Sequence, residues 1–505
     1  MRALSAEHYS CRHHNHTHNH GSAADQLLKS VESAPNPQVG LDGMGDPYFP
    51  KMGNGGYDAS HYDLNLNVNP KTRMLTASTI MDAKATQDLT SFNLDFQGFD
   101  ISRITVNGKE SQFQRKDGEL TVSLKDGIAQ GQEFKVQVDY AGKPESYNSP
   151  YAPIPIGWNS IADGSYVLSE PDGASHWFPV NDHPRDKASY TFKVTVPNEY
   201  QAVCNGVLQE KQQLGDTTSY VWEAKEQMAS YLATVNVGKF VEQSAVSPQG
   251  VPITNFFPAS IAKKAESDFG RVPEMMDFFT KRYGDYPFSS YGNLVVDASV
   301  GGAALETQTR PIYERGMVTG DRRTEFVYAH ELAHQWWGDN TSVKDWKDIW
   351  LNEGFANYSH MMWKHEHEGG MKKLDRAMYQ MYMFLPRHDA PVADPGQKDM
   401  FSENVYNRGA VALHQLRKNL GDETFFNSLK AFQKEFGGKN VTTDDFIKTV
   451  NQVTGKDNNA FFDKWVKSPD LPSWSSGSKT DSSVHHPKAA RTKEAPPERF
   501  AFHAR

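Results

Sequence analysis

Two histidines four residues apart, His330 and His334, flank Glu331 in the run TEFVYAHELAHQWWG, residues 324–338. On an α-helix four residues turn about 400° and rise about 6 Å, so both imidazoles leave one face and can share one metal ion. A zinc ion that activates water takes three protein ligands and keeps a fourth position open. Glu353, in DIWLNEGFANY nineteen residues after His334, is the candidate third ligand. Two neutral imidazoles and one carboxylate leave the ion positive enough to lower the pKa of bound water toward about 7. Glu331, beside a ligand but not itself on the metal, is placed to take that proton. With 19 His and 62 Asp plus Glu in 505 positions, fewer than roughly 0.1 such motifs arise by chance. The reading predicts one Zn2+ per chain on a helix that Asp321 or Thr319 caps, Ala329 and Ala333 favour and Gly338 ends. His365-Glu366-His367 has i, i+2 spacing, which diverges on a helix, and is assigned no site.

These residues need elements to hold them, and two periodicities supply those. Tyr62, Leu64, Leu66 and Val68 alternate with Asp63, Asn65 and Asn67, as in a half-buried strand. The same period returns at Leu120, Val122 and Leu124, at Phe134, Val136, Val138 and Tyr140, and at Tyr190, Phe192, Val194 and Val196. Residues 54–245 are therefore predicted to form an antiparallel β domain. Beyond Pro252 the period lengthens toward 3.6, with amphipathic stretches at 259–283, 322–338, 351–367, 371–385, 403–420 and 422–436 and an extended piece at 293–298. Residues 246–474 are predicted to form a mainly helical domain, giving an α+β fold. Residues 1–53, with the His-rich run SCRHHNHTHNHG, and 475–505, rich in Ser, Lys, Pro and His, are predicted to be disordered. The apolar run from Met378 to Phe384 fits either core packing or an adaptable pocket wall.

Composition narrows the function. At 505 residues with 38% hydrophobic and 23% charged, the chain is an ordinary globular one, too long for a single core. Its net charge of -9 repels phosphate backbones, which excludes nucleic acid as a natural partner. Cys11 and Cys204 are the only cysteines, and no disulfide is expected between them. No run reaches the roughly 18–20 apolar residues of a membrane span. The start shows no apolar signal-peptide core, so the expected compartment is cytoplasmic, with secretion the alternative.

At HELAHQWWGD, WLNEGFANY and VYNRGA, and over about 57–474, the sequence resembles the aminopeptidase N family of gluzincin metallopeptidases, in a short two-domain form. The resemblance implies a saddle-like β domain followed by a thermolysin-like catalytic domain. Many members continue into a large helical domain; this sequence stops sooner, so a more open cleft is expected. By position alone Tyr406 reads as a core aromatic and Glu170 as a solvated loop acid. The resemblance instead makes Tyr406 the donor that stabilises the oxyanion. It makes Glu306, in Ala303-Ala304-Leu305-Glu306-Thr307, a ligand for the substrate's free amine, with the backbone of Ala303 and Ala304 pairing with the peptide. Glycine and asparagine of the family segment are replaced here by Ala303 and Thr307. Glu170, ahead of Trp177-Phe178-Pro179, becomes the second amine-binding carboxylate.

The function so implied is a zinc metallo-aminopeptidase, a metalloprotease that hydrolyses the N-terminal bond of peptides, expected to be monomeric. The alternatives are a zinc metalloendopeptidase, a lipid epoxide hydrolase, and a catalytically silent peptide-binding protein.

Overall fold

The computed structural model describes residues 39–299 and 301–475; the His-rich run 10–21 and residues 476–505 lie outside the described residues. Alternating residues build the first half, as the period of two requires. Along Tyr57–Asn69 the side chains of Tyr62, Leu64, Leu66 and Val68 are buried while their neighbours face outward. An eight-stranded sheet runs in the order Val207–Leu214, Thr217–Met228, Ala188–Pro197, Tyr57–Asn69, Met74–Ala85, Glu133–Gly142, Asp100–Val106, Lys109–Glu110. Its neighbours are antiparallel except that Tyr57–Asn69 lies parallel to Ala188–Pro197, a pairing that the long intervening chain permits and a hairpin would not. A second sheet carries Gly164–Leu168, the strand that leads to Glu170.

Strand Phe240–Val246, ahead of the predicted boundary at 246, pairs with Pro252–Pro258 and so opens the sheet of the second half. That sheet continues through Leu294–Val296 and Ile312–Glu314 to Ala304–Leu305 at its edge. Helices follow: α1 Ala262–Phe269, α2 Val272–Tyr283, α3 Glu325–His334, α4 Trp350–Met361, α5 Glu368–Phe384, α6 Gly409–Leu420, α7 Asp422–Phe436, α8 Thr443–Thr454 and α9 Asn459–Trp465. The single stretch read at 259–283 is broken in two, because Val272-Pro273 starts a new helix where proline needs no backbone donor. The chain is thus a sheet-rich N-terminal region followed by a mainly helical one, an α+β fold. None of the described helices is long and apolar enough to cross a membrane. Met378, Met381 and Tyr382 pack into the core, while Met383 and Phe384 are exposed. Cys204 is a buried free thiol.

Residues 39–53, predicted to belong to a disordered tail, are instead ordered and tied to both halves. The Asp46 carboxylate accepts from the backbone N–H of Tyr48 (2.7 Å), Phe49 (3.1 Å) and Trp346 (2.9 Å) and lies 3.2 Å from the His183 ring. Phe49 packs edge-on against Trp346 and Tyr151. The segment has no periodicity of its own; Tyr151, His183 and Trp346, which tie it to the two halves, lie more than a hundred residues away.

Candidate active site

Helix α3 is buried on every side from Val327 to His334, so its polar residues must find partners inside the protein. Its N-terminus is not capped by Asp321 or Thr319. Asp321 pairs with Arg323, and the turn before the helix is held by Asp268 of α1, whose carboxylate accepts from the backbone N–H of Thr319 (2.7 Å), Gly320 (2.8 Å) and Arg322 (2.9 Å). At the other end the helix stops at His334, and Gly338, with φ 124°, turns the chain four residues later. A side chain there would press on Asn352 and on the His334 ring.

The return to α4 is set by apolar contacts. The Trp337 ring stacks on Phe355, two residues beyond Glu353, with ring centres 4.2 Å apart. Gly354 and Gly409 pack backbone on backbone, and a Cβ on either would lie about 3 Å from the other's Cα. That close approach brings the turn Asn404–Arg408, which carries Tyr406, against the start of α4. The buried Arg408 guanidinium donates to the carbonyls of Trp465, Ser468 and Asp470 and fixes that turn to the C-terminal segment.

The three predicted ligands converge. Glu353 Oε2 lies 3.2 Å from His330 Nε2 and 3.4 Å from His334 Nε2. Tetrahedral zinc with bonds of about 2.0–2.1 Å separates its ligand atoms by about 3.3–3.4 Å, so the donor set fits zinc. His334 Nδ1 donates to the Trp337 carbonyl at 2.9 Å, which leaves Nε2 as the atom facing the site, the one that would bind a metal on losing its proton. Burial acts to raise the Glu353 carboxyl, but His334 and His330 outweigh it and hold it at about 2. Burial pushes the His330 imidazole down to about 4. Burial also acts to lower His334, yet the charges of Glu306 and Glu353 hold it well above the usual imidazole range.

The other predicted residues gather around this set. Glu331 is 3% exposed, and burial holds its carboxyl well above the usual range. Burial, with the Glu353 charge, does the same to the Tyr406 hydroxyl, which therefore stays a proton donor; its ring lies stacked 6.1 Å from that of His330. Glu306 follows the edge strand, and Glu170 arrives from the N-terminal half. Neither is a solvated acid: they are 2% and 5% exposed, and Oε1 of each accepts no hydrogen bond. One oxygen each from Glu170, Glu306 and Glu353 lie within 4.8 Å of one another. Burial, together with Glu306 and Glu353, raises the Glu170 carboxyl well above its usual range. Ala303 and Ala304 are buried; Ala304 begins the edge strand, and the carbonyl of Ala303 just before it accepts from Glu314 N–H at 3.2 Å.

Two positioning residues were not read from the sequence. Gln335 donates to the Glu306 carbonyl (3.0 Å) and accepts from Thr309 N–H (2.7 Å), clamping the Glu306 loop to the end of α3. Lys187, buried in the N-terminal half, donates to the carbonyls of Asp339 (2.8 Å) and Asn340 (3.1 Å) and ties the segment after α3 to the β region. Gln335 stands inside the recognised motif, but its partners and those of Lys187 are distant in sequence. The motif His365-Glu366-His367 takes no part: Glu366 pairs with Arg282 and Arg417, and His367 with Glu274.

Fold and donor set together define a two-domain metallohydrolase. Residues 268–465 match the Peptidase family M1 domain and residues 58–232 the Peptidase M1 N-terminal domain, and the chain belongs to peptidase family M1. Its structure superposes on the M1 zinc metallopeptidase from Deinococcus radiodurans with a TM-score of 0.78 and 29% identity, covering 85% of this chain and 98% of that one. Leukotriene A-4 hydrolase of Xenopus laevis is 25% identical over 82% of this chain and 72% of its own length. Leucyl aminopeptidase of Saccharolobus solfataricus is 27% identical over 75% of this chain and 50% of its own length. Glutamyl aminopeptidase of Bitis rhinoceros is 26% identical over 60% of this chain, which spans 34% of that relative. The chain thus spans about a third to a half of these two aminopeptidase relatives.

Proposed function

We propose that this M1 peptidase is a zinc-dependent aminopeptidase that hydrolyses the first peptide bond of peptides with a free amino end. The observation that carries the reading is the pair Glu170 and Glu306, two buried carboxylates with unpaired oxygens beside Glu353. Buried carboxylates without a partner are costly, and an ammonium group supplies that partner. The named relatives support the same reading: one is a leucyl aminopeptidase, and a mutant of the Deinococcus enzyme was crystallised with the substrate Tyr-Ser-Ala.

His330, His334 and Glu353 would hold one zinc ion, which when bound polarises a carbonyl and acidifies a water molecule. Glu306 and Glu170 bind the substrate ammonium and thereby select the first peptide bond by position alone. The backbone at Ala303 and Ala304 aligns the peptide along the sheet edge. Glu331 accepts the proton of the attacking water and returns it to the leaving amine. The Tyr406 hydroxyl donates to the carbonyl oxygen as negative charge develops on it. The test is a panel of free and N-acetylated aminoacyl anilides, with and without chelator and after zinc restoration. Free substrates should be cleaved in a zinc-dependent way and acetylated ones spared; equal cleavage of both would refute the exopeptidase assignment.

A further inference from the structure

The acidic pair offers more carboxyl groups than one substrate ammonium needs. Glu170, Glu306 and Glu353 each bring one oxygen within 4.8 Å of the other two, inside the protein at 5%, 2% and 3% exposure. Oε1 of Glu170 and Oε1 of Glu306 are unpartnered. Glu353 serves the His330 and His334 set, so Glu170 and Glu306 are two carboxylates in excess of it. An alkylammonium brings one positive charge to them, whereas a divalent ion brings two. Ions that prefer oxygen donors bind them at roughly 2.0–2.6 Å, which places ligand oxygens no more than about 5 Å apart, and these three oxygens lie within 4.8 Å of one another.

We infer that Glu170, Glu306 and Glu353 form a second cation site, which takes an oxygen-preferring divalent ion such as Mn2+ in the place of the substrate ammonium. The inference rests on the zinc and amine reading given above. Glu353 is shared by the two ions, one on the imidazole side and one on the carboxylate side. The second ion is an inhibitor: it excludes the substrate amine, raises apparent KM and leaves kcat unchanged at saturating substrate.

Zinc-loaded enzyme titrated with Mn2+, with the free ion followed by electron paramagnetic resonance, tests this directly. One Mn2+ should bind per chain with zinc retained, and L-leucinamide should displace it while N-acetyl-L-leucinamide does not. Glu170→Gln and Glu306→Gln should each weaken Mn2+ binding on the order of 10- to 100-fold without loss of zinc. Zinc-loaded enzyme that binds no Mn2+, or Mn2+ that the free amine cannot displace from the unaltered enzyme, overturns the second site and leaves the zinc centre standing. Failure to take up zinc at all would refute the primary centre as well.

Discussion

Replacing Glu306 by glutamine removes one charge from the site while keeping the shape of the side chain. The carboxyl group is 2% exposed, its Oε1 has no hydrogen-bond partner, and its backbone carbonyl is held by Gln335, so little rearrangement is available to compensate. A buried ion pair that loses one partner typically costs about 3–5 kcal/mol. At about 1.4 kcal/mol per decade, Glu306→Gln should lower kcat/KM for a free aminoacyl anilide by roughly two to four decades. N-acetylated substrates never use the ammonium contact, so their residual rate should not fall, and the free-to-acetylated preference should shrink by the same factor. Zinc content measured in the same preparation should stay at the wild-type value, because Glu306 is outside the His330, His334 and Glu353 set. A variant that keeps its preference for free amines would show that Glu306 does not bind the substrate amine.

Further outcomes follow from the same geometry. Glu331→Gln should retain zinc and lose about 10²–10⁴ in kcat, since an amide cannot accept the water proton; unaltered turnover would remove Glu331 as the base. In the metal-free protein His330, at about 4, and Glu353, at about 2, are already in ligand form at neutral pH, while His334 is held protonated by the surrounding carboxylates. Zinc must displace that proton, so chelator competition should show zinc affinity rising by about a decade per pH unit from this group while the pH lies below the His334 pKa. A flat profile over about pH 5.5–7.5 would contradict it. Asp268→Ala strips the shared acceptor from three backbone N–H groups ahead of α3 and should cost about 2–4 kcal/mol in denaturant unfolding. A change under about 0.5 kcal/mol would mean that the turn holds without it.

What could be read from the sequence alone is what depends on short separations. The period of two in Tyr62, Leu64, Leu66 and Val68 specifies a strand buried on one face, and the i, i+4 spacing of His330 and His334 places two imidazoles on one side of a helix whatever surrounds it. The ligand role of Glu353, nineteen residues on, could be proposed because its residue type completes a zinc set, but its approach to 3.2 Å of His330 depends on the stacking of Trp337 on Phe355. Glu170, which by position alone reads as a solvated loop acid, is 5% exposed and has an oxygen within 4.8 Å of oxygens of Glu306 and Glu353, residues more than a hundred positions away. The segment 39–53, the Asp268 anchor and the Lys187 tie have no local signature, and Gln335, though inside HELAHQWWGD, has none for its clamp on the Glu306 loop. Their partners are chosen by which surfaces the packed core brings together, and a backbone carbonyl or N–H offers the same hydrogen bond at every position until the fold selects one.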